Sequence, residues 1–117
     1  MKAIILSRVS SKEQEETGYS LPAQEKLLRE HGNGLSFDIK RAFSITESAS
    51  GRKQREIFNE MLAYVKKENI KIIICEKVDR LTRNFKDAVD INDWINGDPE
   101  RQVHFIKENV ILDKESK

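Results

Sequence analysis

The chain has 117 residues, 38% of them hydrophobic and 35% charged, which is enough for one domain with a packed core and leaves no room for a second. Its 21 Lys and Arg nearly cancel its 20 Asp and Glu, so charge-driven disorder and nucleic-acid binding through bulk charge are both excluded, and any anion site must be local. The single Cys75 rules out an intramolecular disulfide and a cysteine metal cluster and suits a cytoplasmic protein. The apolar runs "AIIL" and "IIIC" are far too short to span a membrane, and Arg8 cuts the first one off before it could serve as a secretory core.

"KAIIL" at the start predicts a short buried strand of the kind found inside a parallel sheet. The polar stretch "SRVSSKEQEETG" breaks it. Ser20 then suits an N-cap, with Pro22 tolerated in the first helical turn. Leu21, Leu27 and Leu28 are expected on the inner face of that helix, Gln24 and Glu25 on other faces, and "HGNG" at 31–34 ends it. "FDIKRAFSI" reads as a second strand and "TESASG" as a loop. From about Lys53 to Asn69 the period turns helical, with Ile57, Phe58, Met61, Leu62 and Val65 at i, i+3, i+4, i+7 and i+8 spacing.

"IKIIICEK" is a third strand, apolar on both faces. A helix over about 86–96 follows, with Ala88, Val89, Ile91, Trp94 and Ile95 as its apolar candidates and "NGD" as its stop. "QVHFIKE" is a fourth strand, and residues 110–117 begin apolar and turn charged without a clear end. The order βαβαβαβ predicts a three-layer α/β sandwich around a mostly parallel sheet of about four to five strands. The closing "DKESK" resembles a cut within a linker, so the chain is expected to be a single domain, residues 1–117, from a longer protein; a polar tail is the plainer alternative.

In open α/β sheets ligands bind outside the carboxyl ends of the strands. Three segments with unusual residues fall at that edge. Arg8, Ser10 and Ser11 follow the first strand, Ser48, Ser50, Gly51, Arg52 and Arg55 follow the second, and Asp79, Arg80 and Arg83 follow the third. Guanidinium groups stay charged and match phosphate oxygens in pairs, so arginines around a serine suit phosphoryl transfer. Taken singly, each feature has an ordinary reading. Ser10 suits a turn or cap, Asp79 with the arginines suits a surface ion pair, and Arg52 and Arg55 at the front of a helix oppose its dipole unless an anion or solvent screens them.

His31 falls at a helix end and His104 in a strand, with no ligand spacing linking either to carboxylates, so no metal and no cofactor is expected. "GRKQRE" lacks the phosphate-loop pattern. Cys75 reads as a core residue and Trp94 as helix packing.

The segments "LSRVSSKEQ", "YSLPAQ", "SASGRKQREIFNEML" and "KVDRLTRNFKD" together resemble the catalytic domain of serine recombinases, the resolvase/invertase family, in order and spacing from residue 3 to about 106. "SLPAQ" and the DRLTRN context look more like the large serine recombinases, the integrase and transposase branch. The resemblance implies site-specific recombination of double-stranded DNA without metal or ATP. Ser10 would attack a phosphodiester, form a transient 5′-phosphoserine link and release a 3′-hydroxyl, and strand exchange and religation would follow. By the same resemblance Arg8, Arg80 and Arg83 match arginines that bind and activate the scissile phosphate, Asp79 a carboxylate that orients an arginine, and Gln24 a glutamine of the active-site network.

The loop after the second strand departs from the usual family spacing: anchoring on "REIF" selects Arg55, and anchoring on "SG" lets Arg52 compete. Leu6 stands where many members have tyrosine. The resemblance names no base for Ser10. It also implies self-association to dimers and tetramers through a long helix, and DNA-binding domains, both expected to lie in the rest of the longer protein. Target site, and the choice among integration, excision and inversion, stay open. Two other function classes stand beside this one: a non-catalytic interaction module that keeps the fold, and a hydrolase acting on a small phosphate ester.

Overall fold

The structure, a computed structural model, describes residues 1–9, 21–47, 50–82 and 84–115. Among these, strands β1 (Lys2–Val9), β2 (Asp38–Thr46), β3 (Ile72–Cys75), β4 (Gln102–Phe105) and β5 (Val110–Leu112) form one sheet in the order β2-β1-β3-β4-β5. The β1–β2, β1–β3 and β3–β4 pairs are parallel, and β4–β5 is antiparallel. The helices are α1 (Leu21–Gly34), α2 (Gly51–Lys67), the single-turn α3 (Val78–Leu81) and α4 (Phe85–Asn96). This is the expected α/β architecture. Its additions are β5, where 110–117 had no assigned structure, and α3, which occupies the "VDRL" left unassigned between the third strand and the helix over about 86–96.

The period-2 pattern of β1 and β3 divides the core. Ile4, Leu6, Ile73 and Cys75 face a cluster with Phe58, Met61, Leu62 and Val65 of α2 and Ile91, Trp94 and Ile95 of α4. Ala3, Ile5, Ile72 and Ile74 face the opposite side, where Leu28 of α1 packs. A sheet covered on both faces explains why β3 is apolar throughout.

Several local expectations shift. β1 runs on through Ser7, Arg8 and Val9, because the parallel ladder with β2 continues to Arg8↔Ile45 and Val9↔Thr46. Arg8 is therefore in the strand, not after it. On α1, Leu27 faces solvent while Gln24 is fully buried above Leu28, so the inner stripe is Gln24, Leu28 and His31, one helical turn apart, and not a leucine face. Ser20 and the Leu21 side chain lie outside the described residues.

"HGNG" ends α1 as expected: the helix stops at Gly34, and Ser36 with φ 61° makes the turn. Gly32 is the close-contact position, since a Cβ there would come within 2.9 Å of Ile39 Cδ1 and 3.0 Å of Ile74 Cδ1. On α4, Ala88 and Val89 are exposed and the buried stripe is Asp87, Ile91, Trp94 and Ile95. A buried carboxylate at the head of that stripe needs a partner.

Candidate active site

The β1–β3 ladder ends at Ile5↔Ile74, so β1 continues past the end of its neighbour. At Arg8 the Gln24 amide takes the place of a strand partner. Gln24 Oε1 accepts from the Arg8 backbone N–H at 2.9 Å, and Gln24 Nε2 donates to the Arg8 carbonyl at 3.3 Å. A fully buried Gln is tolerated here because both ends of its amide are bonded. The clamp fixes the end of β1, and with it the direction in which the 2%-exposed Arg8 side chain leaves the strand.

Arg8 projects to the α2–α4 face, the side of Ile4 and Leu6. There it lines a cleft of about 140 Å³ with Gly51, Gln54, Arg55 and Phe58 of α2, together with Asn84 and Asp87 at the start of α4. That volume suits a small oxyanion and is well below the ~300–1,000 Å³ of pockets for drug-sized ligands.

The side chains lining it include two cations, Arg8 and Arg55, and one carboxylate, Asp87. The cleft also opens onto the first residue of α2, where helical backbone N–H groups favour negative charge. Ser50 caps that helix, its Oγ accepting from Lys53 N–H at 3.1 Å.

Arg55 resolves one open choice of geometry. It is half-buried, lines the cleft and pairs with Asp87 at 2.6 Å, the Asp87 side chain being only 4% exposed. Asn84 Oδ1 accepts from the Asp87 N–H at 2.9 Å and caps α4. Arg52 instead points outward, 90% exposed, against Glu56 at 3.5 Å. Each helix-start arginine thus has a carboxylate to offset its clash with the helix dipole.

Arg80 lies in α3, which packs on β1 and β3, and its side chain is 15% exposed. It sits between Glu47, just past β2, at 3.6 Å and Glu76, just past β3, at 3.9 Å. Glu76 is buried and also meets Lys107 at 3.6 Å. The ends of strands β1, β2 and β3 therefore do converge. Arg8 and Arg55 share the cleft, and Arg80 stands at the adjoining rim without lining the cleft. Asp79 is exposed in the first turn of α3 and forms no ion pair with any described residue. Ser10, Ser11, Ser48 and Arg83 lie outside the described residues.

Asp87, Asn84, Gln54, Glu47 and Glu76 belong to this region and were not singled out from the sequence. Asp87 left a trace there: it occupies the position i of an i, i+4, i+7, i+8 stripe otherwise made of Ile91, Trp94 and Ile95. Glu76 directly follows four buried residues.

The family model "Resolvase, N terminal domain" matches residues 3–117. The chain belongs to the resolvase family. Two solved structures show the same fold. The N-terminal catalytic domain of TP901-1 integrase superposes with a TM-score of 0.75 at 17% identity, covering 95% of this chain and 82% of that one. A resolvase family site-specific recombinase from Streptococcus pneumoniae superposes with a TM-score of 0.72 at 23% identity, covering 99% and 78%. No curated protein matches significantly. In this resolvase-family domain no described helix is long and apolar enough to cross a membrane.

Proposed function

We propose that the chain is the catalytic domain of a site-specific serine recombinase acting on double-stranded DNA. The observation that supports this most is the juxtaposition, at the carboxyl edge of a resolvase-family sheet, of Arg8 and Arg55 in one small cleft at a helix N-terminus, with Arg80 on the next strand end. A near-neutral protein needs local cations to bind a phosphodiester, and Arg8, Arg55 and Arg80 supply three at this edge.

In this reading Ser10 attacks the scissile phosphorus. The new O–P bond forms as the bond to the 3′-oxygen breaks, giving a 5′-phosphoserine link and a free 3′-hydroxyl. After strand exchange a 3′-hydroxyl attacks the phosphoserine, restores the phosphodiester and returns the serine, so no ATP is consumed. Arg8, Arg55, Arg80 and Arg83 neutralise the phosphoryl oxygens as charge accumulates in the transition state. Gln24 acts through the backbone of Arg8 as a positioning residue, two residues before the nucleophile. Asp79 orients an arginine of the set, and Arg52 approaches the DNA backbone from the outer surface. The protein works in the cytoplasm as a dimer that pairs into a tetramer on DNA.

The test is to incubate the protein with a nicked recombination-site duplex that traps cleaved product, and to look for a covalent protein–DNA adduct in denaturing gels. Wild type is expected to form it, Ser10→Ala to abolish it, and Arg80→Ala to fold normally and lose most of it. An adduct that survives Ser10→Ala overturns the assignment of the nucleophile.

A further inference from the structure

A second cluster lies away from the arginine cleft, and the established family membership says nothing about it. His31 near the end of α1 and His104 in β4 are 73 residues apart in sequence, yet His31 Nε2 lies 3.2 Å from His104 Nδ1. The rings meet edge to face, 5.4 Å between centroids, and Phe37 packs edge-on against His104 at the same centroid distance. The His104 residue is 3% exposed and His31 is half-buried. Both line an open cleft of about 130 Å³ with Phe105, Ile106, Asn109, Val110 and Ile111.

The hydrogen bonding sets the tautomer. Gln102 Oε1 lies 3.0 Å from His104 Nε2, and a carbonyl oxygen can only accept, so that nitrogen carries the proton. His104 Nδ1 is therefore a lone-pair donor aimed at His31. This is the arrangement of metal-ligating histidines, whose second ring nitrogen donates to an oxygen that fixes the ring.

The distance fits as well. With nitrogen–metal bonds of ~2.0–2.1 Å, a 3.2 Å separation of the two nitrogens gives an N–metal–N angle of roughly 100–106°, near tetrahedral. Both histidines line the adjoining open cleft.

We propose that His31 Nε2 and His104 Nδ1 form a two-imidazole site for a borderline divalent transition metal, Zn²⁺ or Cu²⁺, that ties α1 to β4. Binding moves the His31 proton from Nε2 to Nδ1 and leaves both rings neutral. Among the described residues no group of three His, Cys, Asp or Glu could hold a metal, so water completes the shell and the affinity is modest. The expectation from sequence spacing was that no metal site exists. Spacing rules detect ligands on one element, and these two meet only through the packing of α1 across the sheet.

The experiment titrates the chelator-treated full chain with Cu²⁺ and Zn²⁺. One saturating equivalent is expected, with a Cu²⁺ electron paramagnetic resonance spectrum showing two coordinated imidazole nitrogens and selective broadening of the His31 and His104 ring resonances. His31→Gln and His104→Gln are each expected to weaken binding at least tenfold. Should a variant fail to fold, the wild-type spectrum decides alone. Absence of saturable binding below millimolar metal, a one-nitrogen spectrum, or affinity unchanged in folded variants overturns the proposal.

Discussion

Replacing Gln24 isolates the contribution of the clamp on β1. Gln24→Leu leaves an apolar side chain one bond shorter and removes both hydrogen bonds to Arg8, at 2.9 and 3.3 Å. The Arg8 N–H and C=O then lose their Gln24 partner in a buried site, on the side where the β1–β3 ladder has already ended at Ile5↔Ile74. An orphaned buried polar group costs ~1–3 kcal/mol, so two cost ~2–6, and the added apolar surface of the leucine offsets part of this; a net loss of ~2–4 kcal/mol is expected. With a urea m-value of ~2 kcal/mol/M, the denaturation midpoint should fall by about 1–2 M while m stays unchanged.

Amide hydrogen exchange gives the local reading. The Arg8 amide is expected to be protected in wild type and to exchange far faster in the variant, with core amides of β3 much less affected at matched stability. Gln24→Glu should recover the bond from the Arg8 N–H and lose the one to its carbonyl, falling between the two. A midpoint shift below about 0.3 M together with an unchanged Arg8 amide would refute the clamp.

Three further outcomes are expected. A double-mutant cycle on Arg55→Met and Asp87→Asn should return a coupling of ~1–3 kcal/mol in chemical denaturation, since Asp87 is buried and Arg55 is its 2.6 Å partner; coupling near zero would mean the pair is energetically idle. Cys75 should resist thiol reagents in the native protein and react only at the rate of unfolding, because burial, followed by the charges of Glu108 and Glu76, raises its thiol pKa; fast stoichiometric labelling would contradict this. The metal-free protein should lose stability in mild acid through His104. Its folded pKa of about 4 lies below the usual 6.5, so the unfolded chain binds the proton more readily. The contribution is complete above about pH 6.5 and falls as pH drops toward 4, by at most about 3 kcal/mol and less where cleft water screens the ring. His104→Gln should flatten the denaturation midpoint across that window, and an unchanged slope would reject the assignment.

The fold class was legible because β3 and the start of β1 are apolar runs, α2 carries an unbroken 3.6-residue stripe, and their alternation admits few topologies. The same logic brought Arg8, Arg55 and Arg80 to one edge, at the carboxyl ends of the strands. Gln24 was assigned to the wrong face of α1 because a polar residue on a helix is expected to face water. Only a neighbouring strand that outruns its partner gives a buried amide something to bond. Asp87 was passed over for a similar reason: its stripe position is meaningful once Arg55 is known to stand opposite.

Sequence by itself therefore determined four strands, three helices and the family, since these follow from local periodicity and from short ordered motifs. Tertiary structure alone decided which polar groups are partners. It chose Arg55 over Arg52 for the cleft, joined Gln24 to the backbone of Arg8, and set His31 against His104 across 73 positions. Hydrophobic burial leaves a pattern repeating every two or 3.6 residues, whereas a hydrogen bond or ion pair between distant elements leaves no period at all. Its existence depends on where packing stops each strand and tilts each helix.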